Sequence, residues 1–298
     1  MRDQTTQSYH RRVTRTLEYI AANLDAELST RQLADIAHLS PWHFHRVFRA
    51  ITGATLGDVT RTMRLERSAS VLRNSKLPIG QIALDCGYES GEALSRAFRR
   101  QFGVPPSQYR RLPTATGLVS PGPRIRFNPD NSEVALKPIA SEYSMNIRIE
   151  EIPAREYYYI ENIGPYQNLA RVFESLVAWG VSAGIDLGTA DIFSQSYDSP
   201  RATPENELRS KACISTSDRV EPTGNIKIGY REKRRCAIYT HKGHYDGIQN
   251  AYLGMLESFI AQSDEELADA PFVEIFLNDC TSLPSEEWLT DLCIPLQD

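Results

Sequence analysis

The chain of 298 residues is 41% hydrophobic and 24% charged. That is ordinary globular composition, enough for more than one core, and it excludes a wholly disordered chain. No apolar run approaches the ~18 residues of a membrane span, and the polar start MRDQTTQSYH has no signal-peptide core. The five cysteines, Cys86, Cys213, Cys236, Cys280 and Cys293, are scattered without a C-x-x-C spacing. They indicate neither a disulfide framework nor a zinc knuckle, so a reducing, cytoplasmic location is expected.

The net charge of −5 conceals a split. Residues 1–112 hold 17 Lys and Arg against 10 Asp and Glu, a net of +7, while the remainder holds 16 against 28, a net of −12. All but one of the N-terminal cations are arginine, the side chain suited to phosphates and base edges. A basic third joined to an acidic remainder points to two kinds of partner.

In chain order, Gln32–Gly53 reads as helix, turn, helix. Leu33, Ile36 and Ala37 share one face, and Phe44, Val47, Phe48 and Ile51 share another. Ser40 is placed to cap the second helix, Pro41 suits its first position, and Gly53 suits its end. A polar helix follows over about 56–73. The helix-turn-helix pattern then returns at Gln81–Gly103, so that Arg46, Phe48 and Gly53 align with Arg96, Phe98 and Gly103. Gly87 falls in the turn, where a positive φ is often needed, and Ser90 takes the capping place of Ser40. Two such hairpins match the helix-turn-helix signature, whose second helix enters the DNA major groove. Opposite the apolar stripe, the first candidate helix carries Trp42, His45, Arg46 and Arg49 at i, i+3, i+4 and i+7. The second carries Glu92, Ser95, Arg96 and Arg99 at the matching places. Such an arginine can bond guanine O6 and N7 together. The alternative is a plain solvated helix face. His43 and His45, two residues apart, point away from each other and indicate no metal site.

Residues 10–112 resemble the paired helix-turn-helix domain of AraC/XylS-type transcription regulators. The resemblance is strongest over Ile82-Ala-Leu-Asp-Cys-Gly-Tyr-Glu-Ser and Leu94-Ser-Arg-Ala-Phe-Arg-Arg-Gln-Phe-Gly-Val-Pro-Pro-Ser-Gln-Tyr-Arg111. Ala93 and Leu94 depart from the aromatics often found there. The resemblance implies an all-α, homeodomain-like domain of seven helices that reads two successive major-groove faces about 34 Å apart. It puts Trp42, His45 and Arg46, and Glu92, Ser95 and Arg96, at base-reading places.

Residues 113–145 carry Pro113, Pro121, Pro123 and Pro129 with Gly117 and Gly122, and no sustained period. They read as an interdomain linker, with short strands conceivable at Ile125–Phe127 and Ala135–Ile139. Beyond it, β-patterned segments begin at Ile147, Glu156, Asp191, Ala212, Ala237, Val273 and Asp291, with amphipathic helices over about 167–183 and 248–262. Ile163-Gly-Pro-Tyr166 before the first helix is matched by Lys242-Gly-His-Tyr245 before the second. This predicts an α+β domain of duplicated strand–helix–strand–strand units, with a cleft for small molecules between the halves.

Glu274 interrupts an apolar strand. By alternation it shares a face with Phe272 and Phe276, away from Val273, Ile275 and Leu277. A carboxylate beside aromatics attracts an organic cation; alternatively Glu274 faces solvent on an edge strand. Trp179 and the run Tyr157–Tyr159 are equally readable as core. The segments Tyr197–Ile214 and Val273–Leu296, with both Gly-x-Tyr turns, resemble the GyrI-like effector-binding domain over about 146–298. The resemblance implies that Glu274 lines a ligand pocket, with Tyr166, Trp179 and Tyr239 as weaker wall candidates.

The expected protein is therefore multidomain: an N-terminal DNA-binding domain (1–112), a linker (113–145) and an effector-binding domain (146–298). Its expected partners are double-stranded promoter DNA, a small hydrophobic or cationic effector and, less directly, RNA polymerase, with no cofactor or metal. The rival readings give the C-terminal domain a hydrolase activity using Glu274, or a protein-interaction role toward gyrase or RNA polymerase.

Overall fold

The computed structural model describes residues 4–112, 123–138, 145–198, 200, 203–217, 219–263 and 265–297, with side chains from residue 8 onward. It divides into two compact units, one running from Thr6 to Ala140 and the other holding Ser141–Asp298.

Among the described residues, the first unit is led by seven helices: α1 (Gln4–Ala22), α2 (Thr30–Ala37), α3 (Pro41–Thr52), α4 (Leu56–Asn74), α5 (Ile79–Asp85), α6 (Gly91–Phe102) and α7 (Pro106–Tyr109). Their ends are written in the sequence. The Ser40 side chain accepts from His43 N and the Ser90 side chain from Ala93 N, so both second helices of the repeat are capped alike. Each cap contributes about 1 kcal/mol. Both helices stop at a left-handed glycine, Gly53 at φ 71° and Gly103 at φ 74°.

Helix α4 is buried on several sides because it lies between the motifs. Its Leu65, Ala69 and Leu72 join the core of the second motif with Ile82, Leu94, Phe98 and Tyr109, and the guanidinium of its Arg64 donates to the carbonyls of Leu24 and Ala26 in the first. The turn after α5 fits against this junction. Gly87 has φ 78°, and a Cβ there would lie 2.2 Å from Leu24 O and 2.7 Å from Arg64 Cζ.

The segment read as a linker contains structure of its own. Strands β1 (Ile125–Asn128) and β2 (Glu133–Leu136) form an antiparallel hairpin. It packs on the helices through buried Ile125 and Val134, through Arg124 N to Thr52 O at 2.6 Å, and through Ser70 Oγ donating to Asp130. Residues 113–122 and 139–144 lie outside the described residues.

Among the described residues, the second unit is one antiparallel eight-stranded sheet with two α-helices. The strands are β3 (Arg148–Ile152), β4 (Arg155–Ile163), β5 (Asp191–Ser196), β6 (Arg209–Ser215), β7 (Lys227–Arg231), β8 (Arg234–Lys242), β9 (Phe272–Phe276) and β10 (Leu289–Pro295). The helices are α8 (Leu169–Ser182) and α9 (Ile248–Gln262). The order across the sheet is β3-β8-β10-β9-β5-β6-β4-β7. The duplication extends further than the sequence pattern suggested: each half is strand, strand, helix, strand, strand. The first strands are exchanged, since β3 pairs with β8 and β7 pairs with β4. Strand β7 (Lys-Ile-Gly-Tyr-Arg) escaped prediction because Ile228 and Tyr230 stay exposed on the sheet edge, so no burial pattern marks it. The halves even share turn geometry: Gly164 and Gly243 both have φ 127°, and they donate to Leu208 O and Trp288 O.

Helix α8 packs on β4 and β6 through Leu176, Tyr158, Ile160, Ala212 and Ile214. Helix α9 lies on β8. The opposite face of the sheet holds a separate cluster that includes Tyr157, Phe193, Cys213, Cys236, Val273 and Cys293. Among the described residues, no helix is long and apolar enough to cross a membrane.

Candidate functional site

Two surfaces concentrate the predicted residues, one in each unit. On α3, Trp42, Arg46 and Arg49 are half-buried, and the Arg46 guanidinium carbon lies 4.1 Å from the Trp42 ring centroid. His45 departs from the expected exposed face, being only 7% exposed. At 100° per residue it falls on the shoulder of the apolar stripe, on the side of Thr52 seven residues later, which is fully buried. It is a core-flanking residue, not an exposed one.

On α6 the repeat-equivalent face is more open. Glu92, Arg96 and Arg99 are exposed and Ser95 is half-buried. With Ile79, Gly80, Gly91 and Arg100 they border an open depression of about 870 Å³. Glu92 sits in the first turn, where a hydrogen bond from its own backbone N–H and one from Ser90, with the charge of Arg96, hold its carboxyl below the usual range.

The second surface forms where the halves of the sheet meet. Directly opposite residues share a face, and the registers run Tyr239–Leu292–Glu274–Ser194–Ala212–Ile160 across β8, β10, β9, β5, β6 and β4. Glu274 and Ser194 occupy the middle of this row. With α8 over β4 and β6 and α9 over β8, the strip of sheet between the helices, which carries these two residues, is the candidate groove. Strand β9 is central, so Glu274 is not on an edge. The fully buried Ser194 hydroxyl donates to Glu274 Oε2 at 2.7 Å.

Aromatic residues flank the acid along its strand, Phe272 and Phe276 on the same face, and further rings pack on these two. Tyr252 of α9 packs at 5.0 Å from Phe272. Phe276 meets Phe173 of α8 and Tyr245, each at 5.4 Å, and Tyr245 lies 4.6 Å from Trp288. Burial, a hydrogen bond with Cys280 and the charge of Glu274 hold the Tyr245 phenol well above its ordinary pKa, so it stays protonated.

Comparison with known proteins finds matches for both halves of the chain. Residues 145–297 match the family described as GyrI-like small molecule binding domain, and residues 33–112 match a helix-turn-helix domain. The chain is similar to the regulatory protein SoxS of Salmonella typhimurium (strain LT2), at 40% identity over 102 residues, 34% of this chain and 95% of that one. It is also similar to the right origin-binding protein of Escherichia coli (strain K12), at 38% identity over 107 residues, 35% of this chain and 37% of that one. The chain is an AraC-family transcription regulator with a GyrI-like small-molecule-binding domain. A structural likeness to the EcmrR C-terminal domain, at 20% identity and TM-score 0.46, covers 52% of the regulator and 99% of that chain.

The regulator places its other predicted wall residues differently from one another. Tyr239 shares the face of Glu274, two strands away. Tyr166 donates its hydroxyl to Asp198 O at 2.6 Å. Trp179 is a correction: its ring packs 5.0 Å from Tyr158 of β4 within the α8 core. Strand β4 is three strands from β9, about 14 Å at ordinary spacing, so Trp179 belongs to the core and not to the groove.

Sequence reasoning named neither Ser194 nor Tyr245, Phe276, Phe173 and Trp288 as site residues. One signal was available: Tyr245 is the repeat-mate of Tyr166. The buried thiols Cys213, Cys236 and Cys293 are pushed up by burial, Cys236 to about 12. They lie within the sheet core.

Proposed function

We propose that α3 and α6 of this regulator each enter a major groove, α3 reading through Trp42, Arg46 and Arg49 and α6 through Glu92, Ser95, Arg96 and Arg99. The groove around Glu274 takes a small aromatic or aliphatic organic cation. The observation that carries the effector reading is a half-buried carboxylate at the centre of the sheet, held by a buried serine and flanked by Phe272 and Phe276, with Tyr245 and Phe173 packed on Phe276. A cation there gains both charge attraction and ring contact. A neutral hydrophobic ligand gains only burial. The regulatory role requires that the bound effector favour one DNA-affinity state over another.

The DNA reading is tested by selecting bound sequences from random duplex DNA with the full chain and with Arg46→Ala and Arg96→Ala. Two short preferred blocks about one helical turn apart, each blurred by one variant, support it. Equal losses on selected and random DNA show that these arginines do not read bases.

A further inference from the structure

We propose that the β1–β2 hairpin is a working part of the DNA-reading unit, and that Arg124 is a positioning residue for the first recognition helix. This rests on the reading of α3 as a base-reading helix.

Three contacts tie the hairpin to the helix end. Arg124 N donates to Thr52 O at 2.6 Å, and Arg124 Nη1 donates to Ala50 O at 3.1 Å. The side chain also lies against Gly53, where a Cβ would sit 3.3 Å from Arg124 Nε. The last carbonyls of a helix lack intrahelical partners and carry the negative end of its dipole. A guanidinium held there satisfies them and fixes the angle at which α3 leaves the core. The other side of the hairpin grips α4, through Ser70 Oγ to Asp130 and through the attraction of Lys137 for Glu66. The hairpin therefore spans α3 and the helix that links the two motifs.

The repeat supplies an internal control. Gly103, the counterpart of Gly53, has open space where a Cβ would stand, and α6 is followed by α7 instead. The hairpin touches the end of α3 directly, and the end of α6 has no such contact at Gly103.

The test uses the full chain and a duplex selected by it, together with duplexes in which either preferred block is scrambled. Arg124→Ala is expected to reduce discrimination of the α3 block at least about fivefold and to leave discrimination of the α6 block unchanged. Arg124→Lys, which keeps the cation and one donor, is expected to recover part of the loss. Hydrogen exchange at the α3 C-terminus, compared with α6, is expected to quicken only in α3. Unchanged discrimination of both blocks, or an equal loss on both, overturns the proposal. Arg46→Ala is run alongside. If it leaves the α3 block unaffected, the reading of α3 itself has failed; if it blurs that block while Arg124→Ala does not, the failure belongs to the hairpin. Should Arg124→Ala not fold, Ser70→Ala, which removes the opposite anchor, is read by the same block comparison.

Discussion

Arg46 lies over the indole of Trp42, one turn earlier on α3, with its guanidinium carbon 4.1 Å from the ring centroid. The contact restrains a long side chain before DNA arrives, so less rotamer freedom is lost on binding. Trp42→Ala is expected to cost about 1–3 kcal/mol on a selected site, confined to the α3 block, and Trp42→Phe less. Titration of a labelled duplex at fixed salt measures it. A loss equal in size on random DNA would assign Trp42 to backbone contact.

The α6 face offers a different balance, because Arg96 and Arg99 are exposed. Arg96→Ala is expected to cost about 1–3 kcal/mol and to relax preference at one position of the α6 block. A phosphate-contacting arginine behaves otherwise. Its loss weakens all sequences alike and reduces the slope of log K against log salt by about 1. Binding measured across a salt series with specific and random duplexes separates the two.

Glu274 and Ser194 are repeat-mates that meet across the pseudo-twofold, one acidic and the other its donor. Glu274→Gln is expected to weaken benzyltrimethylammonium binding by up to about 3 kcal/mol, the attraction of a carboxylate for a cation about 5–6 Å away in a partly screened site. It is expected to leave a neutral aromatic of similar shape nearly unaffected. Ser194→Ala, which removes one hydrogen bond to the carboxylate, is expected to have a smaller effect in the same direction. Calorimetric titration of both probes decides; equal loss of both points to collapse of the groove.

Burial raises the Glu66 carboxyl above its ordinary 4.5, with the Lys137 charge opposing. The native state therefore holds this proton more tightly than the unfolded chain. The group's stabilising contribution is fully present below about 4.5 and is lost as pH rises through the raised native value. Glu66→Gln is expected to raise the melting temperature at pH 7 relative to the parent, and the gap is expected to close near pH 4. A lower melting temperature at pH 7 means that attraction to Lys137 outweighs burial.

At Gly87, a positive φ coincides with a Cβ position 2.2 Å from Leu24 O. Gly87→Ala is expected to destabilise by about 2 kcal/mol or more, combining left-handed strain with overpacking. Gly103→Ala, left-handed but in open space, is expected to cost about 1 kcal/mol. Denaturant unfolding of both variants gives the comparison.

The sequence by itself determined the two-part organisation, the helix ends and the paired motifs. These depend on local chemistry: Ser40 and Ser90 as caps, Gly53, Gly87 and Gly103 at left-handed positions, and apolar residues at helical spacing. It also determined that Glu274 shares a face with Phe272 and Phe276, because alternation along one strand needs no knowledge of its neighbours. Tertiary structure decided whatever depended on which strands pair and what covers a face. The meeting of Ser194 with Glu274 requires β5 beside β9, and the exchange of β3 and β7 leaves no local trace in a strand as exposed as Lys227–Arg231. Trp179 and Tyr245 are both aromatics near a helix, and only packing sends one to the α8 core and the other to the groove. His45 sits at the shoulder of a stripe, where helical angle leaves burial undecided until the rest of the unit packs. The Pro-rich stretch after residue 112 reads as a connection because its two short strands bury little on their own; against α3 and α4 they become part of the domain.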